Sequence, residues 1–259
     1  MGTVSKALSL LTLFNHGRLE IGLSDITRLS GMNKATVYRL MSELQAQGFV
    51  EQVGSDRAYR LGPEVLRLAA LREAAVPILS VSQDILKKLC DLTGETAHVS
   101  LVRGKQLNTL THAYSPRHGT RVTMEDAEIL SFHATGSGLA YLAFAPSAFV
   151  EDVLAQPLSR HTTETETDPK RLREAISKAR ILGIAESVGG FEADVHSHAA
   201  PIFGPNREPI GSLAVAAPVA RITPDLKTLI RREVKIAALD LTHRIGGFCP
   251  SDYPQEKAA

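Results

Sequence analysis

The sequence predicts a two-domain α/β chain: a small helical unit carrying a β-hairpin, then a larger α+β unit built on an antiparallel sheet. Three observations predict it. At 259 residues the chain has room for two domains on a soft prior of roughly 150 residues each. Up to Gly48 the apolar residues follow helical spacing, and around a Gly-Ser-Asp turn they switch to two short strand-like runs. Beyond Pro77 the pattern reads strand pair, helices, strand pair, helix.

With 44% hydrophobic and 22% charged residues the composition is that of an ordinary globular protein. No apolar run approaches the ~20 residues of a membrane span. The N-terminal stretch has neither a basic n-region nor a small-residue cleavage site, so a cytoplasmic location and no membrane partner are expected. Cys90 and Cys249 lie far apart, and two free thiols are expected rather than a disulfide.

Val4, Ala7, Leu8, Leu11 and Phe14 share one helical face, predicting a helix over 3–15 stopped by Asn15-His16-Gly17. Leu23–Val50 predicts two helices joined by a tight turn at Gly31-Met32. Ser24 is placed to cap the first helix, where Ile26 and Leu29 face inward, and Asn33 to cap the second. In that second helix Val37, Leu40, Met41 and Leu44 form one apolar stripe. Ala35, Tyr38, Arg39 and Ser42 point away from it, with Thr36 on the flank. A buried stripe with a small, polar and basic outer face suits a major groove. Phe49–Val53 and Ala58–Leu61 predict a hairpin directly after this helix, a wing that brings Arg57 and Arg60 towards the sugar-phosphate backbone.

Residues 1–62 are therefore read as a winged helix-turn-helix that binds double-stranded DNA. Thr36, Tyr38 and Arg39 are expected on bases and Lys34 on phosphate. Ser24, Asn33, Ala35, Ser42, Arg57 and Arg60 complete the contact set. This unit holds seven Lys and Arg against five acids, a net charge of only +2. Affinity must then come from where the cations sit and from oligomerisation that doubles the contacts.

Pro63 opens a helix to about Ala75, too apolar for a free linker, and 63–76 is read as a connecting helix that packs against a partner or the next domain. A long amphipathic helix, 78–93, is closed by Gly94. Strands Thr96–Arg103 and Gln106–Tyr114 form a hairpin around Gly104-Lys105. Phe132–Gly138 is a small-residue loop running into a helix Leu139–Ala145. Helices follow at Ser147–Ala155 and 170–182, strands at about 195–203 and 209–217, and a last helix from Pro224 to about Ile245. Residues 77–248 form the second domain, and 249–259 are read as a flexible tail.

The chain at this point resembles the IclR family of bacterial transcription regulators. The resemblance covers residues 3–247. It rests on four blocks in order: NKATVYRLMSELQAQGFV at 33–50, HATGSGLAYLAF at 133–144, LGIAESVGGFEADVHSHAAPIF at 182–203 and PIGSLAVAAP at 209–218. It implies a GAF-like effector domain after the linker helix, and homodimers or dimers of dimers on operators near catabolic genes.

The loop Thr135-Gly136-Ser137-Gly138 presents backbone N–H groups and small side chains, a setting that favours an anion such as a carboxylate. The resemblance implies that this loop lines the effector pocket, with Gly136 and Ser137 as the anion-binding positions. It also implies a second wall from 183–198 and the last strand pair. There Ser187 stands where the family often has an acid and Ser197 where it often has Cys. Ala214 and Ala216 stand where it often has Ser-x-Ser. That wall is less polar, so the expected effector is a small organic acid with a larger or less polar body, aromatic or short-chain. Arg117 could pair with its carboxylate or remain a solvated loop residue.

Asp194, His196 and His198 share one strand face and could offer three metal ligands, with His112, His118 or His133 as a fourth. The preferred reading is a solvated strand face with Ser197 and Ala199 inward, with no metal and no cofactor. A metal-sensing regulator using this cluster is the alternative. A metal-dependent hydrolase is a remote one, since neither G-x-S-x-G nor H-E-x-x-H occurs and no enzyme is expected.

Overall fold

The computed structural model describes residues 2–15, 17–75 and 77–254. His16, expected in the first helix stop, Val76, expected in the linker, and 255–259 of the expected tail lie outside them. The chain forms two compact units, Met1–Pro77 and Ile78–Ala259.

In the first unit α1 spans Thr3–Leu11, shorter than the expected 3–15. Beyond it the chain closes in a tight turn, with Leu13 and Phe14 donating N–H bonds to Leu10 and Leu11, and Asn15 pairs with Arg18. The buried phase of α1 is Leu10, with Ala7 and Leu11 half-buried, whereas Val4 and Leu8 are exposed. Helix α2 spans Leu23–Ser30 and α3 spans Lys34–Ala46. Gly22, not Ser24, is the N-cap of α2, and no side chain caps it. Ile21 exchanges two 2.9 Å backbone bonds with Tyr59, which fixes the entry to α2 two residues before Ser24. Gly31 ends α2 at φ 67°, the left-handed conformation that glycine takes without a Cβ clash. Asn33 does cap α3, its Oδ1 accepting the Thr36 N–H at 2.8 Å.

Strands β1 (Val50–Val53) and β2 (Ala58–Leu61) pair antiparallel as the wing. Ile21, Ile26, Val37, Leu40, Met41, Leu44, Val50 and Tyr59 close with Leu10 into one core. Helix α4 spans Pro63–Ala75 and exposes Leu66, Leu68 and Leu71.

The second unit opens with α5 (Ile78–Thr93), followed by β3 (Thr96–Arg103) and β4 (Gln106–Ala113). Then come β5 (Ile129–Leu130), α6 (Gly136–Leu142), α7 (Ser147–Ala155) and α8 (Pro169–Leu182). Strands β6 (Ala185–Val188), β7 (Val195–Phe203) and β8 (Pro209–Pro218) precede α9 (Pro224–Arg244). The six strands form one antiparallel sheet in the order β5-β4-β3-β8-β7-β6. Two short edge strands, β5 and β6, were not expected from the sequence, since two and four residues carry too little alternation to register.

Helix α6 begins at Gly136 rather than Leu139. Thr135 caps it, its Oγ1 accepting the Gly138 N–H at 2.9 Å, so the small-residue loop is the first helical turn. The segment expected to be a loose tail returns to the core. Tyr253 is buried against Phe144 and Phe203 and donates to the Gly183 carbonyl at 3.2 Å. An aromatic side chain so placed contributes about 3 kcal/mol. Tyr253→Ala is expected to lower the stability of the second unit by about 2–4 kcal/mol in denaturant unfolding. No change would mean that residues 249–254 do not pack.

Candidate functional site

The outer face of α3 presents the residues expected on DNA. Lys34, Ala35, Tyr38 and Arg39 are exposed and Thr36 and Ser42 half-buried, while Val37, Leu40, Met41 and Leu44 hold the helix onto the core. Neither Lys34 nor Arg39 forms an ion pair or side-chain hydrogen bond among the described residues, so both cations are available to a ligand. Asn33 uses its side chain for the cap. Ser24 lies exposed in the uncapped first turn of α2, where N–H groups can meet a phosphate. The wing arginines are already engaged. Arg57 donates to Gln52 Oε1 at 3.0 and 3.2 Å, and Arg60 pairs with Glu51 at 2.7 Å. Both pairs are exposed, and such pairs are worth little, so a phosphate can replace either carboxylate or amide.

In the second unit the sheet brings part of the expected effector set together. Register places Ser187 opposite Ser197 and Ser197 opposite Ala216, on the sheet face covered by α6. A cavity of about 40 Å³ opens there, lined by Thr135, Ser137, Ser187, Ser197 and Ala216 with His98, Val122, Met124, Leu130, Phe191 and Val195. Ala134, Glu128 and Glu192 complete its lining. Ser197 Oγ accepts the Gly136 N–H at 3.2 Å, and Ser187 Oγ donates to the Ala134 carbonyl at 2.7 Å. These two hydroxyls tether the loop. Among the first N–H groups of α6, only that of Ser137 has no protein acceptor among the described residues.

Four expected effector positions do not line the cavity. Gly136 and Gly138 are demanded by packing: a Cβ would lie 2.8 Å from Ser197 Oγ in one case and 2.3 Å from the Phe132 carbonyl oxygen in the other. Ala214 is fully buried in the core. Arg117 donates to the Asp91 carbonyl, closing the end of α5 rather than the cavity. The volume also bears on the expected body of the ligand. A benzene ring occupies a cavity of about 150 Å³, so 40 Å³ admits only a short-chain body without side-chain movement.

With Glu128 and Glu192, His98 is one of the polar lining residues that sequence reasoning missed. It sits on β3, buried, and shares a 3.0 Å hydrogen bond between Nε2 and Ser137 Oγ across 39 residues of chain. Its Nδ1 has no partner among the described residues. Burial, with a smaller contribution from His112, pushes its imidazole down to about 4, so it is neutral at pH 7.

The expected histidine cluster forms with a different carboxylate. Asp194 is exposed and precedes β7, whereas Glu186 stands opposite His198 on β6. His196 Nε2 donates to Glu186 Oε1 at 2.7 Å, His198 Nε2 lies 3.8 Å from the same oxygen, and the two rings stack at 4.5 Å. Both histidines are buried, so the solvated-face reading is corrected: α9 covers this side of the sheet, and Lys227 pairs with Glu186. Burial pushes Glu186 up, but Lys227 and the two histidines outweigh it and hold the carboxyl below its usual value. Burial, then His196, pushes His198 down to about 4. None of the three histidines offered as a fourth ligand joins. His112 pairs with Asp126, His133 bonds Ser131 and Ser159, and His118 is exposed.

The model of the IclR helix-turn-helix domain matches residues 3–54, and that of the C-terminal region of bacterial IclR transcriptional regulators matches residues 72–243. The chain is 29% identical over 227 residues to the glycerol operon regulatory protein of Streptomyces griseus, covering 86% of this chain and 87% of that one. It is 26% identical over 248 residues to the transcriptional repressor IclR of Escherichia coli K12, covering 95% and 90%. A crystal structure of a candidate IclR transcriptional regulator from Silicibacter sp. TM1040 is 64% identical, with a TM-score of 0.82 over 98% of this chain and all of that one.

The low pKa of His98 carries a stability consequence. Below pH 6.5 the unfolded imidazole takes up a proton that the folded one refuses until about pH 4, so stability is lost as pH falls through that window. The loss attributable to His98 is on the order of 3 kcal/mol. His98→Gln is expected to unfold with a flatter pH dependence between 4 and 6.5 than the parent chain, read from denaturant midpoints; parallel curves would contradict the assignment.

Proposed function

The chain belongs to the IclR family of bacterial transcriptional regulators, and we propose that it binds an operator under the control of a small organic acid. The family identity makes it a ligand-responsive DNA-binding regulator and not an enzyme. The observation that carries the reading is the outer face of α3, which offers Lys34 and Arg39 uncommitted beside Thr36 and Tyr38.

The winged helix-turn-helix of 1–62 reads bases through Thr36, Tyr38 and Arg39. Lys34, Ser24, Arg57 and Arg60 hold the backbone. The linker of 63–76 and the exposed Leu66, Leu68 and Leu71 of α4 support a homodimer or a dimer of dimers, since a second copy would cover them. Residues 77–248 act as a GAF-like effector domain. The acid's carboxylate sits against the Ser137 N–H and the Ser197 hydroxyl, next to neutral His98, with Val122, Met124 and Leu130 around a short body. Glu128 and Glu192 favour a donor, such as a hydroxyl, on its far end. The naming of one relative as a glycerol operon regulator supports targets among catabolic genes.

Selection of duplexes from a random pool by the full-length protein tests the DNA reading. A two-fold symmetric site is expected. Arg39→Ala should cut the preference for that site over random DNA by about 5- to 150-fold, the equivalent of 1–3 kcal/mol at one base pair. Lys34→Ala should weaken both DNAs alike and lower the salt slope by about one. Equal losses on both DNAs for Arg39→Ala would remove its base-reading role. For the effector, a thermal-shift panel of short carboxylic and hydroxycarboxylic acids should raise Tm for the parent chain; Ser197→Ala should abolish the shift, and Ser137→Ala, which keeps the backbone N–H, should retain it. A shift that survives Ser197→Ala would place the acid elsewhere.

A further inference from the structure

We propose that Glu186, His196 and His198 form a binding site for a first-row divalent transition ion of the Zn²⁺ kind, with Lys227 as the resident cation that the ion displaces. The site lies on the sheet face opposite Ser197 and does not depend on the effector reading.

Strand register creates the donor set. Glu186 faces His198 directly and His196 diagonally, and one donor atom from each lies within 4.8 Å of the others. Two imidazoles and one carboxylate suit Zn²⁺, Co²⁺ or Ni²⁺, whereas Mg²⁺ and Ca²⁺ take oxygen donors. Zn–N and Zn–O bonds of about 2.0–2.2 Å put tetrahedral donors about 3.4 Å apart. The His196–Glu186 distance of 2.7 Å and the His198–Glu186 distance of 3.8 Å reach that with shifts well under an ångström each.

Two further observations point to a ligand. His198 is 1% exposed, and neither of its ring nitrogens has a partner among the described residues. A buried orphan nitrogen is costly, and metal ligation satisfies it. A cavity of about 310 Å³ at the β6 edge is lined by Glu186, His198, Lys178 and Arg231, which gives an ion a way in. Lys227 pairs closely with Glu186 Oε1, and its side chain is 36% exposed, so its ammonium can swing to solvent when the ion enters. Arg231 stays 4.0 Å from Glu186 and opposes the added charge. The site is thus a cation exchanger rather than a cage.

Tag-free, chelator-treated full-length protein titrated with Co²⁺, read by its visible absorption, and with Zn²⁺, read against a chromophoric chelator, tests this. One ion per chain is expected. Glu186→Gln and His198→Ala should each weaken binding at least about tenfold, His112→Ala should leave it unchanged, and Lys227→Met should strengthen it about tenfold. Circular dichroism reports whether each variant folds. If His198→Ala does not, Lys227→Met at its part-exposed position decides alone. No binding at about 1 mM metal, equal binding by Glu186→Gln, or no gain in Lys227→Met would each overturn the proposal.

Discussion

The two-residue alternation of β7 is the constraint on which the second unit depends. Val195–Phe203 is paired on both sides and covered on both faces, so successive side chains have no choice but opposite environments. Ser197 meets α6 and the small cavity; His196 and His198 meet the α9 face and Glu186. A slip of one residue would exchange a hydroxyl that tethers a helix start for a pair of imidazoles. The pairing with β6 and β8 prevents it, because it fixes Ser187 and Ala216 beside Ser197.

What the sequence revealed and what it hid follow from the same physics. The stripe Val37, Leu40, Met41, Leu44 and the cap at Asn33 lie within one helix, so local spacing suffices to read them. Ser24 misled because the start of α2 is set by Ile21 pairing with Tyr59, a contact across 38 residues. Glu186 and His98 were invisible for the same reason. Their partners arrive by strand register, and a one-dimensional motif selects the wrong acid, Asp194, by proximity in the chain. The tail was read as loose because one tyrosine in a polar stretch has no period, yet Tyr253 finds an aromatic socket formed by Phe144 and Phe203.

The cavity face of the sheet is also unusually polar for a core. His98 Nδ1, Ser100 Oγ, Thr109 Oγ1 and Ser212 Oγ are buried without protein partners among the described residues, and register sets Ser100 opposite both Thr109 and Ser212. Polar atoms left this way cost about 1–3 kcal/mol each, so this layer lowers stability relative to an aliphatic one. By contrast, Glu95 at the start of β3 is buried but fully met by a bidentate Arg221 at 2.5 and 2.8 Å, which anchors the turn after β8. Rigidity and polarity are thus distributed unevenly: the rim of the sheet is locked by ion pairs, while its centre keeps hydrogen-bonding capacity in reserve.

The tethers on the α6 loop give the cavity a resting latch. Ser197 holds the Gly136 N–H and Ser187 holds the Ala134 carbonyl, so the loop is closed on the sheet by the same hydroxyls that border the space for a guest. An oxygen that takes the Gly136 N–H must first break a bond internal to the protein. Engaging that N–H is therefore an exchange of partners, and its net free energy is the small difference between two similar hydrogen bonds. A guest on that N–H would thus move the first turn of α6.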